Sequence, residues 1–141
     1  MIKPFVLAAF AVAMSASAAP ATVKPGMHCP HCDFAGADLS NQCVKGGNLT
    51  GADFTGTKLV LACMSKADFR SASFRGADLS GANLSYSKLD DADLTDAIFS
   101  ATQARGTDFS RTKGLTQAQL SGACGDAKTR LPAGLTLPMC D

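Results

Sequence analysis

The sequence predicts an all-β solenoid, in which short strands coil around a central apolar column. A large apolar residue returns at every fifth position from Phe34 to Phe109, and only Ala104 interrupts this series. Two residues before each of these positions the side chain is small in most units, with Gln42 as the misfit. The bulky positions are Phe34, Leu39, Val44, Leu49, Phe54, Leu59, Met64, Phe69, Phe74, Leu79, Leu84, Leu89, Leu94, Phe99 and Phe109.

A five-residue period fits neither a helix nor a straight strand. A helix turns about 100° per residue, so the apolar positions would spiral around it without forming a buried face. A strand alternates faces at each residue, so an odd period would flip every second apolar side chain outward. The chain must therefore turn a corner within each unit, and glycines such as Gly36, Gly56 and Gly76 follow the centre by two residues, where a corner needs permissive dihedrals. Stacked corners of this kind define a solenoid.

Several units contain a more specific motif. Ala77-Asp78-Leu79-Ser80-Gly81, Ala82-Asn83-Leu84 and Ala92-Asp93-Leu94 resemble the A(D/N)Lxx units of the pentapeptide-repeat family. The resemblance covers residues 32–113. It implies a right-handed quadrilateral parallel β-helix with four units, or twenty residues, per coil. About four coils would form a rod about 19 Å long at the usual strand spacing.

The N-terminal residues predict an export signal. Lys3 supplies a positive charge, an apolar run follows from Pro4 to Met14, and Ala16-Ser17-Ala18 fits a cleavage site. We therefore expect a signal peptide at 1–18, a lead-in at 19–31, the β-helix at 32–113, and a capping helix with a pinned tail at 114–141. The mature protein is expected to be periplasmic or secreted, with no membrane span after cleavage.

Six cysteines in an exported chain predict three disulfides, for which fifteen pairings are possible. The twenty-residue coil implied by the family places Cys43 and Cys63 directly above one another, about 4.8 Å apart and within disulfide range. We expect this pair, a Cys124–Cys140 pair in the tail, and a Cys29–Cys32 pair by elimination.

The lead-in motif His28-Cys29-Pro30-His31-Cys32 has three interpretations. Cys29 and Cys32 continue the fivefold pattern, which favours a structural disulfide. The Cys-x-x-Cys spacing also resembles thiol–disulfide oxidoreductases, although no βαβ context accompanies it. Finally, His28, Cys29, His31 and Cys32 are ligand types that suit copper or zinc. A thiol-redox or Cu/Zn-binding function is thus the alternative, while the favoured interpretation needs no metal or other cofactor.

The region after Gly114 predicts a cap for the last coil, which would otherwise expose strand edges. Thr116 fits an N-cap with Gln119 at N3, and Leu115 and Leu120 fit a hydrophobic staple. We expect the helix to run to about Cys124, with Gly125 as its C′ residue.

Apolar residues stand at three positions where this repeat has polar ones. Val60 and Leu61 occupy a corner and Ile98 an outward position, all on the side built on Leu39, Leu59, Leu79 and Phe99. They predict a contact patch for a partner protein or for a second copy of the chain, as in a homodimer. The alternative is that the lead-in or the tail covers this corner.

Charge and composition argue against several classes of function. The chain has no Glu, and most of its aspartates occupy the polar outer row of the repeat, so we expect no catalytic residues and no enzyme. Loss of Lys3 leaves twelve basic residues against twelve aspartates, which does not suit the DNA mimicry of some family members. The linear sequence also lacks a basic stripe with interleaved aromatics, so no nucleic-acid partner is expected. The prediction is a non-enzymatic scaffold or protein-interaction module of the bacterial cell envelope, with an unknown protein partner.

Overall fold

A computed structural model of the chain describes residues 22–141. The predicted signal peptide at 1–18 and the predicted mature start near Ala19 lie outside the described residues. Within the described part, all strands are isolated single-residue bridges, and the only regular element is one short helix, α1, spanning Gln117–Leu120.

The chain coils as a parallel β-helix with a twenty-residue step. Each bridge joins the residue before one bulky centre to its equivalent one coil later, and the first bridge joins His28 to Asn48, inside the segment expected to be the lead-in. The other twenty-residue bridges are Asp33–Asp53, Asp38–Lys58, Cys43–Cys63, Asn48–Asp68, Asp53–Ser73, Lys58–Asp78, Cys63–Asn83, Asp68–Lys88, Ser73–Asp93, Asp78–Ile98, Asn83–Gln103, Lys88–Asp108 and Asp93–Lys113. The predicted coil length is therefore confirmed.

The coil has four faces, each of which we name after its first bulky centre. The centres stack as columns along the axis. The Cys29 face contains Cys29, Leu49, Phe69, Leu89 and Phe109; the Phe34 face Phe34, Phe54, Phe74 and Leu94; the Leu39 face Leu39, Leu59, Leu79 and Phe99; and the Val44 face Val44, Met64, Leu84 and Ala104. The Cys29 face lies opposite the Leu39 face, and the Phe34 face opposite the Val44 face.

Backbone hydrogen bonds join successive coils and close each corner. The Phe34 N–H donates to the Asp53 carbonyl at 2.8 Å, and the Asp53 N–H donates back to the Cys32 carbonyl at 2.8 Å. Within the unit, the Ala37 N–H donates to the Phe34 carbonyl at 3.0 Å. From His31 to Gly106 the residue two after each centre has a positive φ, such as 71° at Gly36. Non-glycine residues adopt this conformation at His31, Asn41, Leu61, Lys66, Ser71, Tyr86, Asp91, Asp96 and Ala101.

Stacked phenylalanines fill the N-terminal half of the core. The rings of Phe34, Phe54 and Phe74 lie nearly parallel, with centroids 5.0 and 4.9 Å apart and planes within 9°. Phe69 meets Phe54 and Phe74 edge-on, at 5.8 and 5.3 Å. Offset-parallel and edge-on geometries are the favourable arrangements for aromatic pairs.

The small Ala104 in a bulky column has a packing explanation. Ala104 is fully buried between two faces whose centres are Phe99 and Phe109, and these rings meet edge-on at 6.2 Å. The missing side-chain volume at 104 leaves room for both rings. The departure from the repeat therefore compensates for large neighbours.

Threonines at the inward small position add hydrogen bonds across the coils. The hydroxyls of Thr57, Thr102 and Thr107 each donate to a carbonyl of the preceding coil at 2.8 Å. Ser87 occupies the same kind of position, but its buried Oγ has no hydrogen-bond partner among the described residues. A buried hydroxyl without a partner costs free energy of desolvation without a compensating bond.

We predict opposite effects for removing these two hydroxyls. Ser87→Ala should leave the free energy of unfolding unchanged or raise it by about 1 kcal/mol, because no bond is lost. Thr102→Val, which keeps the side-chain volume, should lower it by about 1 kcal/mol, because the bond to the Leu79 carbonyl is lost. Urea unfolding of both variants measures the difference. Equal destabilisation by the two substitutions would contradict this account.

The C-terminal helix α1 has the predicted start but not the predicted end. Thr116 is the N-cap and forms a reciprocal capping box with Gln119, as expected, and Leu120 is fully buried. The helix ends at Leu120, so the prediction that it runs to about Cys124 with Gly125 as C′ is wrong. Strand pairing ends it early, because the Cys124 N–H donates to the Thr102 carbonyl at 3.0 Å.

The tail continues the coil with irregular steps. Cys124 bridges Gln103 and Arg130 bridges Asp108, while Met139 bridges Gly125. The amide of Gln119 anchors α1 by donating to two carbonyls of the last regular coil, at 2.8 and 2.9 Å. The cap is therefore built from paired backbone as well as from the helix. No helix in residues 22–141 has the length and apolar character required to cross a bilayer.

Candidate interaction surface

Three disulfides join the described cysteines, and none of these cysteines is free. The pairs are Cys29–Cys32, Cys43–Cys63 and Cys124–Cys140, the same three that the sequence analysis expected. Cys43 and Cys63 lie on outward positions of adjacent coils, with their Cα atoms 4.4 Å apart. The Cys124–Cys140 pair closes a loop of sixteen residues, which the chain-entropy model values at about 3 kcal/mol.

The lead-in motif is arranged as a structural element. Cys29 and Cys32 are bonded to each other and pack against the core, so neither is a thiolate ligand or nucleophile in this state. His28 lies 3.4 Å from the amide nitrogen of Asn48, and the ring of His31 lies against Gly51 of the next coil. Among residues 22–141 no three His, Cys, Asp or Glu side chains are grouped as a metal site. The structure thus does not bring His28, Cys29, His31 and Cys32 together as a ligand set.

The outward aspartates have a structural role that the sequence analysis missed. A carboxylate oxygen of Asp33 accepts from the Ala35 N–H at 2.9 Å, and Asp53 makes the same contact to Thr55 at 2.9 Å. The same bond to the N–H two residues on is made by Asp38, Asn48, Asp68, Asp78, Asn83, Asp93, Asp108 and Asp126. These Asx turns recur at the corners, and the preference of Asp and Asn for turns is the sequence signal that could have identified them.

These contacts lower the pKa of several carboxyls below the ordinary value of 3.8. Hydrogen bonds from Ser40 lower the pKa of Asp38, and bonds from Ser110 lower that of Asp108. For Asp68 the main cause of the lowered pKa is the Arg70 guanidinium, whose Nη2 lies 2.6 Å from Oδ2. The carboxylates are therefore held ionised at the corners rather than poised for proton transfer.

The lowered pKa values predict a loss of stability in acid. A carboxyl whose pKa is lower in the folded than in the unfolded state stabilises the fold above about pH 4, and this contribution is lost as pH falls through the folded value. The free energy of unfolding should therefore fall below about pH 4. In the variant Asp38→Asn/Asp108→Asn it should fall less, because amides make the same turn bond at Asn48 and Asn83 without titrating.

Urea unfolding at several pH values between about 2.5 and 6 measures this effect. Asp96→Asn is the matched control, because Asp96 lies at a positive-φ corner position and its carboxylate takes part in none of the hydrogen bonds described for residues 22–141. In this control variant the free energy of unfolding should fall at low pH by the same amount as in the wild type. A double variant whose curve runs parallel to the wild-type curve would contradict the assignment.

The predicted apolar patch is exposed on the Leu39 face. The side chain of Leu61 is 60% exposed and that of Ile98 is 49% exposed, while Val60 is half-buried. Leu61 leans along the axis, because its Cδ2 lies against the Gly81 corner of the next coil. Within the described residues, neither the lead-in nor the tail covers Leu61, so the structure does not support the alternative that they do.

A shallow groove adjoins the patch at the capped end. It has a volume of about 360 Å³ and lies between the last regular coil and α1. Its lining residues are Ala97, Ile98, Phe99, Ser100, Ala118, Gln119 and Gly122. Ile98 therefore borders this groove, while the hydrogen-bonded pair Asp78 and Ser80 lies between Ile98 and the corner at Leu61.

Comparison with known proteins identifies the class. The model of the family described as "Pentapeptide repeats" matches residues 32–70 and 72–111 in eight copies, which is more than half of the chain. The chain therefore belongs to the pentapeptide-repeat family, whose right-handed β-helix is the fold described above. No curated protein matches the sequence.

Solved structures of the same family are similar to this chain. A pentapeptide-repeat protein from the Arabidopsis thaliana thylakoid lumen is 31% identical, with 71% of this chain and 72% of that chain covered and a TM-score of 0.30. Rfr23 from the cyanobacterium Cyanothece 51142 is 20% identical, with 79% and 88% covered and a TM-score of 0.45. HetL from the cyanobacterium Nostoc, involved in heterocyst differentiation regulation, is 20% identical, with 82% and 57% covered and a TM-score of 0.49.

Proposed function

We propose that this protein is a non-enzymatic scaffold or protein-interaction module, exported to the bacterial cell envelope as a periplasmic or secreted protein. The observation that carries the proposal is the exposure of Leu61 and Ile98 on one face of the β-helix. Apart from Leu61, Ile98 and Tyr86, the bulky side chains of the regular coils are largely buried, and the exposure of two apolar ones on the same face favours a contact with another molecule.

The many interactions that fix the geometry of the coil support a role as a scaffold. Stacked rings, interlocking backbone bonds and three disulfides hold the outward side chains at fixed spacings, which suits a surface that binds without rearranging. Many outward aspartates are engaged with their own backbone, which leaves few groups for acid–base chemistry. These features favour binding over catalysis.

Two features of the chain support the proposed location. The pattern at 1–18 is that of a cleavable export signal. Three disulfides are typical of proteins that fold in an oxidising compartment. Both features fit the bacterial cell envelope.

We predict that a photo-crosslinking side chain at position 61 captures a partner in the producing cell. The residue replaced is Leu61, and the matched control replaces Lys88, which is exposed on the opposite Cys29 face. The expected result is a discrete covalent adduct in the envelope fraction from position 61 and none from position 88. Equal labelling from both positions, or no adduct from either, would contradict the proposed contact face.

The proposed export leads to a second prediction, which concerns the mass and the thiols of the mature protein. The intact mass of the protein recovered from the periplasm or the medium should correspond to a chain that begins at Ala19 and lacks six hydrogens, because three disulfides have formed. Alkylation without reductant should add no mass. Recovery of the full chain with free thiols from the cytoplasm would overturn the proposed location.

A further inference from the structure

The regular units of the Val44 face carry no acidic residue, and acidic residues reach this face only at its capped end, where Asp126 accepts from the Gly106 N–H at 2.9 Å and Asp141 lies beside Arg105. The four regular units of this face are 42–46, 62–66, 82–86 and 102–106, and they contain Lys45, Lys66 and Arg105 but no Asp. Each of the other three faces carries at least two aspartates, for example Asp38 and Asp78 on the Leu39 face. Although the whole chain is close to neutral, the regular units of this face therefore carry a net positive charge, because their cations are not accompanied by aspartates.

Cations on the other faces lie beside carboxylates. Arg70 pairs with Asp68 at 2.6 Å and Arg75 with Asp93 at 3.1 Å. Arg105 on the Val44 face differs, because its guanidinium donates to the Gln103 side-chain oxygen and to the Asp141 carbonyl, both at 2.9 Å. The tail thus holds this guanidinium in place, whereas Lys45 and Lys66 take part in none of the ion pairs described for residues 22–141.

The coil places one cationic or aromatic side chain of this face on each level. Lys45, Lys66, Tyr86 and Arg105 follow the same corner on four successive coils, a span of about 14 Å at the usual strand spacing. Lys45 and Lys66 are exposed, and Tyr86 is 49% exposed with its ring against the Gly106 corner. Because these residues are about twenty apart in the chain, the linear sequence shows no stripe.

The Val44 face also adjoins the apolar patch. Leu61 stands at the corner that leads into it, and the Cys43–Cys63 disulfide and the amides of Asn83 and Gln103 form the outward row between the two corners. One continuous surface thus offers an apolar edge, a row of neutral polar groups and a cationic edge with a tyrosine.

We propose that the Val44 face, with Leu61 at its edge, binds an acidic segment of a partner protein. This proposal rests on the proposed function and names the chemistry of its partner. Positive charge that meets carboxylates would steer association and fix orientation. Tyr86 and Arg105 are the residue types enriched where protein interfaces have their strongest contacts.

The number of cations favours a protein over other anionic partners. Proteins that grip duplex DNA typically contact about six to ten phosphates, and recognition of anionic lipid uses clusters of about four to eight Lys or Arg. Three cations on one flat face are fewer than either requires. An acidic peptide needs only a few pairings, supplemented by apolar and aromatic contacts.

The test measures binding of a fluorescein-labelled decapeptide of alternating Glu and Ser to the purified exported protein, by fluorescence anisotropy. We expect binding that weakens as salt rises, because exposed charges are screened. The triple variant K45Q/K66Q/R105Q should bind about tenfold more weakly. The double variant K45E/K66E, which leaves the Arg105 contacts intact, should also bind at least about tenfold more weakly, because it reverses two charges.

Three controls make the result specific. The variant R75Q/K88Q/K113Q removes the same charge from the Phe34 and Cys29 faces and should bind within about twofold of the wild type. A decapeptide of alternating Gln and Ser should not bind. Unfolding by urea checks that each variant remains folded.

Several outcomes would overturn the proposal. These are an equal loss in both triple variants, which would indicate net charge alone, and equal binding of the Gln peptide. Binding to phosphatidylglycerol vesicles or to duplex DNA without binding to the Glu peptide would assign the face to another class of partner. Because this assay uses a defined peptide, its failure is distinguishable from failure of the cross-link at position 61, which tests the proposed function itself.

Discussion

The whole coil depends on the corner at which the chain leaves one face for the next. The residue there must adopt a positive φ, as Gly36 does at 71° and Leu61 at 58°. This conformation costs most L-residues roughly 1–2 kcal/mol, and the structure accepts it at nine non-glycine positions. Backbone bonds to the next coil offset that cost, and at the corners preceded by Asp or Asn an Asx bond adds to them. Corners, columns and disulfides all follow from repeating this one turn.

Most of the fold was predictable because the repeat is local. The five-residue period identified the core columns, and the coil length then placed Cys43 above Cys63. The end of α1 was not predictable, because Cys124 takes part in a pairing with the previous coil that a local pattern does not contain. The apolar part of the candidate site was visible, since Leu61 and Ile98 break the repeat. The segregation of charge became evident only once the faces were assembled.

Corner side chains also interact along the axis. His31 lies against Gly51, Leu61 against Gly81, and Tyr86 against Gly106, so a large side chain at one corner meets a glycine at the same corner of the next coil. A β-carbon at these glycines would collide with the side chain below it. Glycine thus serves two purposes here, the dihedral of its own corner and the space its neighbour occupies.

The twenty-residue step has a consequence for how such a chain can change in length. Insertion or deletion of a single five-residue unit rotates everything that follows by one quarter turn. A change between Lys45 and Lys66, for example, would move Lys66, Tyr86 and Arg105 off the line that begins at Lys45, although every unit would still have its bulky centre and its corner. Only changes of four whole units preserve which residues share a face. Residues therefore stay on the same face only when the number of inserted or deleted units is a multiple of four. Packing of the core does not impose this constraint.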